Sequence, residues 1–271
     1  MKLTILMHPA ESHKLAIARA LVLGCARHGD SAEIVDIKRS IDYAKPINNN
    51  DSDAICCWGW SIGRLQCKLG RNVLIMERPY LGDRSAWVSL GWNGLYGRAR
   101  FPCLDDGGAR WREHFADLLL PWRASRDGYA LLLGEIPLDD AERTINFESW
   151  VGATTTRLEY LGHIVRFRPH PKAVTAKPSP SIVTGTLEKA LAGAAFAVNW
   201  NSNAGVDAVL AGTPTVTMDR GAMAWDVTSH DLAIPIFTPD REIWAHSMAF
   251  TQWLPWEIEH GEAWEHLRKL I

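Results

Sequence analysis

The chain has 271 residues, 47% hydrophobic and 22% charged, with 29 Lys and Arg against 31 Asp and Glu for a net charge of −2. That balance excludes a disordered chain, and it supplies no overall field to attract nucleic acid or an anionic membrane, so a polyanionic partner would need a local basic patch. No apolar run approaches the about 20 residues of a membrane span, so no membrane partner is expected. The five cysteines, Cys25, Cys56, Cys57, Cys67 and Cys103, have neither zinc-ligand spacing nor the density of a disulfide framework. Thirteen Trp outnumber the five Tyr and seven Phe together, and Trp is rarely wholly buried, so some rings are expected on a groove or contact surface.

Leu3–Met7 predicts a short buried strand at the very start, where no signal peptide is expected. After the His8-Pro9 turn, Leu15, Ile17, Ala18, Leu21 and Val22 repeat at helical spacing up to Gly24. His28-Gly29-Asp30 turns the chain into a second strand, Ala32–Ile37. Asp53–Trp60 and Val73–Met76 read as two more. Strands alternating with helices predict a parallel α/β sheet. From Glu77 to Arg112 the alternation stops, and so long an aromatic-rich stretch reads as an ordered functional loop.

The alternation then restarts. Tyr129–Leu133, His163–Arg168, Ala195–Trp200 and Thr215–Met218 read as strands, with helices predicted at Phe147–Leu161, Thr186–Leu191 and Ala204–Leu210. Glu242–Gln252 and Glu257–Leu270 read as two closing helices. The break near 121–128 divides two α/β halves, placing an N-terminal domain at 1–124, a C-terminal domain at 125–252 and a closing helix at 253–271.

The block carrying most chemistry is Phe167-Arg168-Pro169-His170-Pro171-Lys172, followed by Asn201-Ser202-Asn203-Ala204-Gly205-Val206-Asp207 and Gly212-Thr213-Pro214. His170 follows the end of a strand, where open α/β sheets bind ligands. Ser202 and Asn203 open a helix, and amides at a helix N-terminus favour anions. A plain helix cap explains Ser202 equally well. Gly205 lets a ligand approach the backbone, and Asp207 is placed to reach a ribose hydroxyl. Arg168, His170, Lys172, Ser202, Asn203, Gly205 and Asp207 are therefore the expected donor-binding set.

Arg-Pro-His-Pro followed by Ser-x-x-Gly-Val-Asp-Ala-x-x-x-Gly-x-Pro resembles the C-terminal half of GT-B glycosyltransferases, nearest to the capsule-polysaccharide type and phage-encoded sugar transferases. The resemblance covers roughly residues 163–220. It implies two Rossmann-like domains with a cleft between them, a nucleotide sugar such as UDP-glucose held by the second domain, an acceptor held by the first, and a last helix crossing back. The family often has Glu where this chain has Asp207.

The segment from Arg78 to Arg112 contains six Arg interleaved with Tyr80, Trp87, Trp92, Tyr96, Phe101 and Trp111. Cations neutralise phosphates and aromatic faces stack on bases, so the mixture suits a nucleic-acid groove; ion pairing with Glu77, Asp83, Asp105 and Asp106 over a satellite core would also account for it. The expected acceptor-binding residues are Arg84, Trp92, Tyr96, Arg98 and Arg100, with Trp92 and Tyr96 stacking or wedging and Arg98 and Arg100 on one backbone. Inverting transfer needs a base for the acceptor hydroxyl. Asp83 leads the candidates, with Glu77 and Glu11 beside it, and a retaining mechanism needs none. No Asp-x-Asp signature sits in a suitable loop, so neither metal nor other cofactor is expected.

These features predict a cytoplasmic, monomeric glycosyltransferase acting on a hydroxymethylated base, such as 5-hydroxymethylcytosine, in phage-type double-stranded DNA. Host cytoplasm is the expected place if the chain is phage-encoded. The alternatives are transfer to a bacterial capsule or lipopolysaccharide sugar, and a catalytically silent nucleotide-sugar or DNA-binding module.

Overall fold

A computed structural model describes residues 1–8, 12–37, 52–124, 127–135, 146–172 and 181–271. In chain order its elements begin β1 (Lys2–Met7), α1 (Ser12–Arg27), β2 (Ser31–Asp36), β3 (Ala54–Trp58), α2 (Trp60–Lys68), β4 (Val73–Glu77), β5 (Val88–Trp92) and α3 (Ala109–His114). Next come β6 (Tyr129–Leu133), α4 (Phe147–Tyr160), β7 (Val165–Arg168), β8 (Ser181–Ile182), α5 (Leu187–Ala192), β9 (Ala194–Asn199), α6 (Ala204–Leu210) and β10 (Thr215–Thr217). The chain closes with α7 (Glu242–Met248), β11 (Gln252–Trp253), α8 (Pro255–His260) and α9 (Glu262–Leu267).

The chain divides into two compact units, one of residues 1–114 with 246–271 and one of residues 115–245. The first boundary falls before the expected 124 because residues 115–124 bond to the second unit. Leu120 N donates to Leu210 O at 2.8 Å, and Arg123 reaches Gly212 O through its backbone and Thr213 Oγ1 through its guanidinium.

In the first unit the described strands form one sheet in the order β11-β5-β4-β3-β1-β2. The β1–β2, β1–β3 and β3–β4 pairs are parallel, and their central strands are apolar on both faces, as strands covered on both sides must be. β5 runs antiparallel to β4, pairing Leu74 with Trp92 and Glu77 with Ser89. The long loop expected from Glu77 to Arg112 is thus corrected: it contains β5 and α3. Val88-Ser89-Leu90-Gly91-Trp92 hides its strand character behind one Ser and one Gly. Gly91 is required because a Cβ there would stand 2.6 Å from the Phe101 ring.

Residues 246–271 complete this unit. β11 pairs antiparallel with β5, and α8 packs on α1. The long final helix expected at Glu257–Leu270 breaks at Gly261, whose φ of 89° ends α8 in the left-handed region. The expected helix Glu242–Gln252 likewise stops at Met248, since Gln252 is taken into the sheet. Arg110 fastens this return: it forms a two-pronged ion pair with buried Glu257, donates to Ala249 O and Gln252 O, and lies 4.4 Å from the Trp253 ring centroid.

The second unit's sheet has the order β10-β9-β6-β7-β8, with every pairing parallel. In both sheets the order of connection reverses once. β1 and β3 flank the reversal in the first sheet, β6 and β9 in the second. Ligands of open α/β sheets bind outside the carboxyl ends of strands at such a reversal.

Candidate functional site

At the reversal of the second sheet, the turn after β6 meets the turn after β9. Gly134 N donates to Arg168 O at 2.7 Å, joining the ends of β6 and β7. A Cβ at Gly134 would come within 2.7–2.9 Å of His170 N, Arg168 O and Pro169 Cα, all backbone, so only glycine lets the turns after β6 and β7 lie this close. Ser202 Oγ donates to Gly134 O at 3.3 Å and accepts from Ala204 N at 3.3 Å.

Beside this contact lies a pair of carboxylates that the sequence motif does not include. Glu135 and Asp219 are only 5% and 8% exposed. Glu135 Oε1 accepts from Asn201 N at 2.6 Å, while Asn201 Nδ2 donates to Asp219 Oδ2 at 3.2 Å. Asp219 Oδ1 also accepts from Gly221 N at 3.1 Å. Charged acceptors make the stronger hydrogen bonds, so Asn201 is held from both sides. The signal available in the sequence was a Gly-Glu pair directly after the apolar run Tyr129–Leu133.

Of the expected donor-binding residues, Arg168 and His170 meet Gly134 through their backbone and Ser202 through its hydroxyl. His170 Nδ1 accepts from Lys172 N at 3.1 Å, which places the proton of a neutral imidazole on Nε2 and makes that edge a donor. Arg168 donates to Gly185 O at 2.7 Å. Asn203 stands at the N-cap of α6 without a capping bond from its side chain. The space at Gly205 is already taken, because a Cβ there would sit 2.5 Å from Asn199 Nδ2. Its smallness serves packing against buried Asn199, a correction to the expected ligand approach. Asp207 is half-buried on α6.

The first unit places the remaining candidates. Glu77 ends β4, with Oε1 accepting from Arg78 N and Oε2 lying 3.8 Å from where a Cβ on Gly59 would be. Asp83 is exposed and accepts from Ser85 N at 2.8 Å and Ser85 Oγ at 2.7 Å; these bonds hold its carboxyl below the ordinary value and make it a weak base. Glu11 lies outside the described residues.

Of the expected acceptor-binding set, Trp92 is corrected outright. It is fully buried in the core and its Nε1 donates to Leu267 O at 3.0 Å, so it cannot stack on a base. Tyr96 N donates to the hydroxyl of buried Tyr80, and the two rings lie 5.9 Å apart. Arg98 belongs to a 3-10 turn, Tyr96–Arg98, rather than to an extended run, and Arg100 donates to Leu270 O. Arg84 is exposed. Among the described residues no group of three or more metal-ligating side chains occurs, and no helix is long and apolar enough to cross a membrane.

No protein-family model matches the sequence, nor does any curated protein. Solved structures do. Thermosulfurimonas dismutans KpsC, as a beta Kdo 2,7 transferase, is similar with a TM-score of 0.62 and 12% identity, over 94% of this chain and 92% of that one. A beta Kdo 2,4 transferase structure of KpsC from the same organism has a TM-score of 0.49 and 12% identity, over 90% and 89%. At such identity the likeness is one of fold, and the fold is GT-B-like, built from two Rossmann-like units.

Proposed function

We propose that this chain transfers a sugar from a nucleotide-sugar donor to a carbohydrate acceptor. The strongest support is the carboxyl edge of the second sheet, where Gly134 and Glu135 meet Asn201 and Ser202 at the strand-order reversal with His170 alongside. A nucleotide phosphate there would take hydrogen bonds from His170 Nε2–H and the Ser202 hydroxyl, with Arg168 and Lys172 as charge partners. Those cations would stabilise the negative charge that grows on the leaving phosphate as the sugar departs. Asp207 takes the ribose role that the family resemblance implies. Glu77 is the favoured base for the acceptor hydroxyl, since it ends β4 at the carboxyl edge of the first sheet, whereas Asp83 accepts two hydrogen bonds from Ser85 that make it a weaker base. The structure of similar fold with a TM-score of 0.62 is itself described as a sugar transferase.

A DNA acceptor has less support. Trp92 lies in the core, Arg110 is committed to Glu257, and Arg100 and Arg112 each donate to a backbone carbonyl of their own unit. The test is incubation with labelled UDP-, CMP- and ADP-sugars together with a mixture of oligosaccharides or hydroxymethylated duplex DNA. Label should enter the carbohydrate fraction and be reduced at least tenfold in His170→Ala. Label entering duplex would restore the DNA acceptor. Neither transfer nor nucleotide binding with any donor would end the transferase reading.

A further inference from the structure

We infer that the outer face of α1, α8 and α9 joins this chain to a second copy of itself in a two-fold dimer, in place of the monomer expected from the sequence. Trp256 and Leu23 supply its apolar part, and Arg19 and Arg27 of each copy meet Glu259 and Glu262 of the other. All thirteen Trp lie within the described residues, and Trp256 alone is exposed, at 48%. Leu23 is 50% exposed. Along α1 the outward residues Ala16, Arg19, Leu23 and Arg27 recur every three or four positions, which sets them in one stripe. On α8, Trp256, Glu259 and His260 face outward by the same spacing. The two helices touch: a Cβ on Gly24 would collide with Ile258 O, and one on Gly261 would stand 3.1 Å from Arg27 Cβ. The outward stripes therefore adjoin.

The charges on this face are not used within the chain. Lys269 pairs with Glu265 at 3.3 Å and Arg268 with Asp30 at 3.0 Å. Arg27 borders the turn that precedes Glu262, yet among the described residues no ion pair joins Arg19 or Arg27 to Glu259 or Glu262. Two guanidinium groups thus lie beside two carboxylates, with exposed apolar side chains among them. A polyanion would meet the carboxylates and a polycation the guanidinium groups, so a partner of either single sign is repelled by part of the face. A second copy turned through a half-turn sets each cationic stripe against an anionic one, the isologous arrangement commonest among soluble oligomers. Trp and Arg are also the side chains that most often dominate protein–protein contacts.

Sedimentation velocity of the full chain over a range of concentrations reads the association. The parent chain should form dimers and nothing larger, and Trp256→Ala should raise the dimer dissociation constant at least tenfold. Arg19→Glu with Arg27→Glu makes the face acidic, and Glu259→Lys with Glu262→Lys makes it basic. Each of these chains alone should be monomeric, whereas their equimolar mixture should form a heterodimer, which also shows that both are folded. A parent chain monomeric at every concentration, growth beyond the dimer, or charge-reversed chains that self-associate like the parent overturns the inference. So does a mixture that stays monomeric although both variants melt at the parent temperature.

Discussion

The strand-reversal edge of the first sheet carries Trp58 with His13 and Lys14 beside it, whereas that of the second carries Gly134, Glu135, Asn201 and Ser202. One topology thus presents an indole ring beside basic side chains in one place and a backbone-rich, hydrogen-bonded pair of turns in the other. The fold fixes where a ligand can sit, and the residues at the strand ends decide which ligand it is. The units also differ in construction. The second is a continuous stretch of chain, and the first is completed only by residues 246–271.

The largest expected effect tests that difference in construction. Arg110→Ala leaves Glu257 buried without its partner, a loss of about 3–5 kcal/mol from the first unit. Denaturant unfolding should register the loss while UDP affinity, assigned to the second unit, stays within twofold. Equal loss of both would show that the two units do not tolerate separate damage.

Glu135→Ala should act in the opposite place. It strips the acceptor from Asn201 N, costing about 1–3 kcal/mol, and frees the turn that carries Ser202. Calorimetric titration with UDP should show at least a tenfold weaker complex, while the stability of the first unit is retained. An unchanged nucleotide affinity would move the donor site away from this edge.

A smaller change separates core from surface in the first unit. Trp92→Phe removes the bond to Leu267 O and should cost about 1 kcal/mol. Filter retention of duplex DNA and carbohydrate binding should both be indifferent to it. Altered retention would return Trp92 to the surface role expected from its neighbours in sequence.

The smallest effect is a pH dependence confined to the first unit. Burial holds the His266 imidazole below its ordinary value despite the opposing charge of Glu265, and its ring stacks on Trp253 at 5.8 Å. The unfolded chain therefore takes up this proton at a higher pH than the folded one. The stability contribution is present above the ordinary histidine value of about 6.5 and is lost as pH falls below it. Thermal melts at pH 5 and pH 7.5 should differ less in His266→Phe than in the parent chain; an identical difference would assign the dependence to other groups.

The second half was legible because its signals are local. Apolar runs such as Tyr129–Leu133 and Ala195–Trp200 become β6 and β9 almost as read, and the prolines and glycines around His170 and Gly205 mark the turns between strand and helix. The 77–112 segment misled because composition does not say which way a side chain faces. Its Trp and Arg suggest a groove, yet β5 turns Trp92 into the core and Arg110 toward Glu257.

By itself the sequence determined an α/β chain with a strand-end motif at Arg168–Lys172 and Asn201–Asp207, since periodicity and turn chemistry act over a few residues. Tertiary structure alone decided the pairing of Glu135 with Asn201 across 66 positions and of Arg110 with Glu257 across 147. The return of the closing segment 253–271 was implied by the family resemblance, and the structure begins that return at 246. Those contacts depend on which strands become neighbours, and strand order is set by packing the whole sheet rather than by any one segment.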